Sequence, residues 1–148
     1  MRVSQVNRLV KNFCEEFGNV KVARDSEFAY YYFEDKITYT LNFTHNGEKV
    51  KAFKEHIYTT YNIDLDDEKD FFLFSLLHEI GHYMTMDTME QEDLIVEVAI
   101  RKLLQEKVEM EDNIYFKLPS EVLANDWAAD YFMEHYEEVR EHFKDLVI

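Results

Sequence analysis

The spacing of apolar and polar positions divides the chain into a first helix, a β-like region and a helical remainder. In the first segment, apolar residues recur at helical intervals after Ser4, the predicted N-cap, and Gly18 is the predicted stop. A short segment at 20–23 and two β-like runs at 28–33 and 37–43 follow. In the second run apolar and polar residues alternate, which predicts a half-buried strand in a hairpin.

Helical spacing returns after a predicted turn at Asn46-Gly47. The helix that follows is expected to end near Asn62. The next helix is expected to start from a cap at Asp64 or Asp66, because acidic residues favour the positive end of a helix dipole. This helix is predicted to run to about Thr85.

Two more helices are predicted in the C-terminal half of the chain. One spans about 89–105, and Pro119-Ser120 begins the last one, which reaches about Phe143. A sheet region followed by a helical region is typical of the α+β class. With one proline, three glycines and no evident linker, residues 1–148 are expected to form a single domain.

The helix that starts near Asp66 contains the run His78-Glu79-Ile80-Gly81-His82 and is otherwise apolar nearly all round, so we expect it to be buried. Buried imidazole and carboxylate groups are costly unless they are compensated. Residues four apart lie on the same helix face, so His78 and His82 can bind one ion. Zn²⁺ favours such nitrogen ligands and keeps one position open for water in catalytic sites.

Glu79 projects beside the two histidines and can act as a general base on a water molecule without binding the metal. Gly81 costs about 1 kcal/mol of helix propensity relative to alanine, which predicts that another backbone packs closely there. The alternative interpretation is a helix whose histidines lie on a partly exposed face and bind no metal.

The last helix offers a third metal ligand. Glu121 is predicted to face inward on a stripe of small residues, whose alanines allow close approach to the histidine helix. Asn125, one turn further on, can hydrogen-bond a ligating histidine and orient its ring. The alternative is that Glu121 only stabilises the positive end of its helix, and the residues alone leave both interpretations open.

The helix that contains His78 and His82 and the last helix, which contains Glu121, together resemble the ImmA/IrrE-type metallopeptidases, within the wider gluzincin group. The shared pattern comprises Phe74, Ser75 and the run 78–82, followed by Glu-x-x-Ala-Asn-x-aromatic-Ala at 121–128. The resemblance implies a zincin-like domain in which His78, His82 and Glu121 bind Zn²⁺ and Glu79 is the catalytic base. It also implies a small antiparallel sheet whose edge strand holds an extended peptide, and a substrate that is a regulator or repressor protein.

The net charge of −15 argues against binding to nucleic acid backbones or to anionic membranes. The single cysteine and the absence of a long apolar run or a signal-peptide pattern predict a cytoplasmic protein. Two functions remain: a zinc endopeptidase acting on a protein partner, and a non-catalytic acidic binding protein with a structural zinc, whose surface would mimic DNA. Peptide hydrolysis also needs an oxyanion donor, for which the sequence leaves six candidates: His45, His56, Tyr83, Tyr115, Tyr131 and His135.

Overall fold

The computed structural model of the protein describes residues 1–43, 47–106 and 112–148. Within these residues the fold is mixed α+β, with six α-helices and one three-stranded sheet. The helices are α1 (Val3–Cys14), α2 (Gly47–Tyr61), α3 (Glu68–Thr85), α4 (Gln91–Gln105), α5 (Asp112–Phe116) and α6 (Pro119–His142). The strands are β1 (Lys21–Arg24), β2 (Ala29–Tyr31) and β3 (Lys36–Tyr39). No helix in the described ranges is long and apolar enough to cross a bilayer.

The sheet has the order β1-β3-β2 and is mixed. Strands β2 and β3 form the predicted antiparallel hairpin, in which Tyr30 lies opposite Ile37. The prediction of a wholly antiparallel sheet is wrong, because β1 pairs with the other edge of β3 in parallel, with Val22 opposite Ile37. The chain between β1 and β3 forms β2 on one edge of β3, which leaves the opposite edge open to β1.

Strand β3 is buried on both faces, not half-buried as its alternating pattern predicted. Ile37, Thr38 and Tyr39 are all fully buried in this central strand, although the side chains of successive residues point to opposite faces of a sheet. The threonine is satisfied inside the protein, since its hydroxyl donates to the carbonyl oxygen of Glu27 at 3.0 Å. Alternation therefore located the strand but did not predict its burial.

The helix starts differ from the predicted caps by a few residues. Helix α1 begins after Arg2, so Ser4 lies inside it, and the helix ends at Cys14, before Gly18. Helix α3 is capped by Asp67, whose carboxylate accepts from the backbone N–H of Asp70 at 2.9 Å. The predicted turn at Asn46-Gly47 lies partly outside the described residues, and Gly47 itself begins α2.

Helix α3 lies in the middle of the core and packs along α6. All residues from Phe71 to Gly81 are buried, which confirms the prediction of a helix buried all round. The predicted close packing at Gly81 is also observed, because a Cβ atom there would lie 2.5 Å from the carbonyl oxygen of Ala124 on α6. The inward face of α6 is buried as predicted: Glu121, Ala124, Asn125, Ala128 and Phe132. The identification as one zincin-like domain stays a prediction.

Candidate metal centre

His78 and His82 on α3 meet Glu121 of α6 in a buried cluster. Nε2 of His78 lies 2.9 Å from Oε2 of Glu121, and Nε2 of His82 lies 3.3 Å from the same oxygen. One donor atom from each of the three residues lies within 4.8 Å of the other two. Two imidazole nitrogens and a carboxylate oxygen are a donor set that binds transition metals, so this cluster can hold a metal ion.

Asn125 lies one turn beyond Glu121 and contacts the first histidine, where the sequence predicted it. Its side-chain oxygen is 2.6 Å from Nδ1 of His78. Because an amide oxygen only accepts, Nδ1 carries the proton, and Nε2 is the ring nitrogen that faces Glu121. Within the described part of the chain, the amide nitrogen of Asn125 is buried without a partner. The side chain therefore gives up one hydrogen bond while it orients His78.

The charges of the cluster stabilise one another. Burial would lower the pKa of His78, but hydrogen bonding and attraction from Glu121, with a smaller effect of Glu79, raise this pKa to about 9. Burial would raise the pKa of Glu121, but its hydrogen bonds to the two histidines hold it well below its usual value. The buried imidazole of His78 and the carboxylate of Glu121 therefore stabilise each other's charged forms.

Glu79 lies beside the cluster rather than in it. Its Oε1 is 3.9 Å from Nε2 of His78, a separation too long for a hydrogen bond. The side chain is buried, and burial raises the pKa of its carboxyl group although the two histidines oppose this effect. A carboxylate with a raised pKa beside a donor cluster can both accept and return a proton.

Two cavities meet at the cluster, and both are lined by His78, Glu79, Tyr115 and Glu121. The larger, of about 510 Å³, continues between the segments before β2 and after β3 and helices α2 and α5 over mainly apolar side chains: Phe28, Phe43, Val50, Phe53, Phe71 and Phe116. The smaller, of about 400 Å³, is lined by polar groups of α4 and α6 and by the edge strand β2. The cluster thus lies between an apolar cavity and a polar one.

Of the oxyanion candidates, the structure brings Tyr115 to the cluster. Its hydroxyl donates to Oε1 of Glu121 at 2.9 Å. Four other candidates do not line either cavity: Tyr83, His56, Tyr131 and His135. Tyr83 packs against Tyr30, His56 stacks on Phe116, and the rings of Tyr131 and His135 contact each other. His45 lies outside the described residues.

Sequence reasoning missed two residues at the polar cavity, Glu97 and Arg101 of α4. Nη2 of Arg101 lies 3.6 Å from Oε1 of Glu121. Glu97 is buried and contacts Ser120, the residue before Glu121. The available signal was a single acidic residue within the apolar run 94–100, four positions before an arginine.

No protein-family model, curated protein or solved structure matches this chain. The resemblance of the two motifs to the ImmA/IrrE-type peptidases therefore stays a prediction.

Proposed function

We propose that this protein is a zinc-dependent endopeptidase that hydrolyses a peptide bond in a specific protein partner. The observation that supports this most directly is the convergence of His78, His82 and Glu121 from two helices in a cluster that opens on two cavities. His78, His82 and Glu121 would bind the Zn²⁺ ion, with Asn125 orienting the His78 ring. The partner class that the motifs suggest is a regulator or repressor, in the cytoplasm.

Bound zinc supplies Lewis acidity, which lowers the pKa of water and polarises a carbonyl group. Glu79 lines both cavities and would take the proton from the attacking water as general base, and then deliver it to the leaving amine. Tyr115 presents the phenol nearest to the cluster, and its O–H group is available to a developing oxyanion once it leaves Glu121.

The surroundings of the cluster suit an extended peptide. Strand β2 is an edge strand, and Ala29 and Tyr30 of this strand line the polar cavity. An edge strand can pair with a peptide through main-chain hydrogen bonds. The apolar cavity beside it can then receive an apolar side chain of the same peptide.

The central experiment compares the wild-type protein with Glu79→Gln. Untagged protein would be analysed for metal by mass spectrometry and incubated with a proteome-derived peptide library, in which new termini are identified. We expect one zinc per chain in both proteins, and a loss of cleavage by about 10²–10⁴-fold in the variant, because the general base is removed. Glu68→Gln changes an exposed carboxylate of the same helix and is expected to cleave normally.

The metal assignment is tested separately. His78→Ala is expected to lose zinc, because it removes one of three protein ligands. Purified wild-type protein without zinc, or His78→Ala protein with unchanged metal content, would show that the site is assigned wrongly.

The second function is a non-catalytic acidic binding protein in which zinc is structural. The net charge of −15 favours it, because such a surface can attract a DNA-binding partner. Glu79→Gln separates the two functions. A variant that is fully active in the cell and still binds zinc would contradict the peptidase and favour the binding protein.

A further inference from the structure

Glu97 is the one buried carboxylate of the described residues that lies outside the histidine cluster and the adjacent Glu79. Its side chain is on α4, and the residue is 4% exposed. Five apolar residues of the same helix are much more accessible, at 42–62% exposed: Leu94, Ile95, Val96, Val98 and Leu103. Since burying a carboxylate is unfavourable, its hydrogen bonds must compensate for the loss of water.

The hydrogen bonds of Glu97 converge on the start of α6. Oε1 accepts from the backbone N–H of Ser120 at 2.7 Å, and Oε2 accepts from the Ser120 hydroxyl at 2.7 Å. Helix α6 receives no side-chain cap from its own N-cap residue, Leu118. The first N–H groups of a helix have no acceptor within that helix. Glu97 of α4 therefore accepts from one of them, the N–H of Ser120, in place of a side-chain cap from Leu118.

Arg101 extends the same contacts to Glu121. Its Nε donates to Oε2 of Glu97 at 3.0 Å, and its Nη2 lies 3.4 Å from the Ser120 hydroxyl oxygen. Nη2 is also 3.6 Å from Oε1 of Glu121, the oxygen that accepts from Tyr115. The opposite oxygen, Oε2, faces both histidines. One side of the Glu121 carboxylate is therefore occupied by neighbours, and the other points into the cluster.

From these contacts we infer that Glu97 is a positioning residue for the metal centre: it holds the first turn of α6, and with Arg101 it fixes how Glu121 presents Oε2 to the two histidines. This inference rests on the proposed function, because it assumes that Glu121 binds a metal. In this role α4 holds the start of α6 through polar contacts, which explains why the buried residue of α4 is a carboxylate.

The test measures metal binding, not cleavage. Zinc affinity is determined by competition with a chromophoric chelator, and the visible absorption of bound Co²⁺ reports the coordination geometry. Glu97→Ala is expected to bind zinc about 10- to 100-fold more weakly and to change the Co²⁺ spectrum, as when other groups that orient metal ligands are removed. Glu92→Ala removes an exposed carboxylate from the same helix and is expected to bind like the wild type.

Glu97→Gln distinguishes positioning from charge. It removes the same charge as Glu97→Ala, but its amide oxygen can still accept from the Ser120 N–H. We expect Glu97→Gln to bind zinc at least about threefold more tightly than Glu97→Ala and to give a Co²⁺ spectrum like that of the wild type. If both variants lost zinc affinity equally, only the charge of Glu97 would affect zinc binding. If both bound zinc within about twofold of wild type, neither the charge nor the hydrogen bonds of Glu97 would affect it. Either result overturns the inference.

The folding of each metal-free variant is followed by circular dichroism. If Glu97→Ala does not fold, Ser120→Ala replaces it, because this variant changes no charge and removes the 2.7 Å hydrogen bond from the Ser120 hydroxyl. It is expected to weaken zinc binding by about threefold, and unchanged affinity would overturn the inference. Wild-type protein that binds no zinc overturns both proposals, whereas zinc binding that is insensitive to Glu97 overturns only this one.

Discussion

The contact between α3 and α6 at Gly81 allows a stability prediction whose sign depends on the tertiary structure. Replacing Gly81 by alanine improves helix propensity by about 1 kcal/mol. The new Cβ atom, however, would lie 2.5 Å from the carbonyl oxygen of Ala124 and 3.0 Å from its Cα. These are backbone atoms, so no rotation of a side chain can relieve the overlap.

The two helices would have to separate by roughly 1 Å to restore ordinary contact distances. Overpacking of this kind costs about 1–3 kcal/mol, and the upper half of this range applies because the obstacle is backbone. After the propensity gain, we expect Gly81→Ala to lower the free energy of unfolding by about 1–2 kcal/mol. The shift also moves Glu121 away from the histidines, so zinc affinity is expected to fall.

Urea denaturation of the metal-free protein measures the first effect, with circular dichroism as the signal. Gly47→Ala is the matched control, because Gly47 begins α2 and a Cβ atom there meets nothing within 4 Å. This control is expected to be neutral or stabilised by up to about 1 kcal/mol. If Gly81→Ala were as stable as the wild type, the close packing of α3 on α6 would be refuted.

Two further predictions concern the ends and the core of the same framework. Asp67→Ala removes the cap of α3 and is expected to lower the free energy of unfolding by about 1 kcal/mol. The backbone N–H of Asp70 lowers the pKa of Asp67 below 3.8, so its stabilisation is present above that pH and is lost as the pH falls through the lowered pKa. Urea titrations of both proteins from pH 7 to about pH 2 should show their difference shrinking; a constant difference would contradict this cause. Phe72→Ala, at 0% exposure, should cost about 3–5 kcal/mol, whereas Phe33→Ala, at 99%, should stay within about 0.5 kcal/mol. Thermal and urea unfolding compare these two phenylalanine variants, and similar losses would contradict the assigned burial.

The sequence predicted those features of the site that depend on spacing along one helix. His78 and His82 are four residues apart, so their common face follows from the helix repeat. The inward face of α6 could be predicted in the same way, because Glu121 and Asn125 lie on a stripe with buried small residues. The sequence could not establish that these two faces meet at one oxygen of Glu121, since no local pattern encodes the contact between α3, which ends at Thr85, and α6, which begins at Pro119.

The features that sequence reasoning missed depend on partners distant in the chain. Alternation in the segment 37–43 predicted a half-buried strand, but pairing with β1 on one edge and β2 on the other made β3 central. Sequence reasoning assigned no role to Glu97, which is buried because Ser120, 23 residues later, supplies its hydrogen bonds.

By itself, then, the sequence determined the five longer helices, though not the short α5, together with the location of the hairpin and the pattern of candidate ligands, because helix and strand periods are properties of neighbouring residues. Only the tertiary structure decided the parallel strand β1, the capping of α6 by Glu97 and the convergence of two helices on one carboxylate. The physical reason is that a polar group is buried only where another part of the chain supplies its hydrogen bonds, and that partner is brought near by folding.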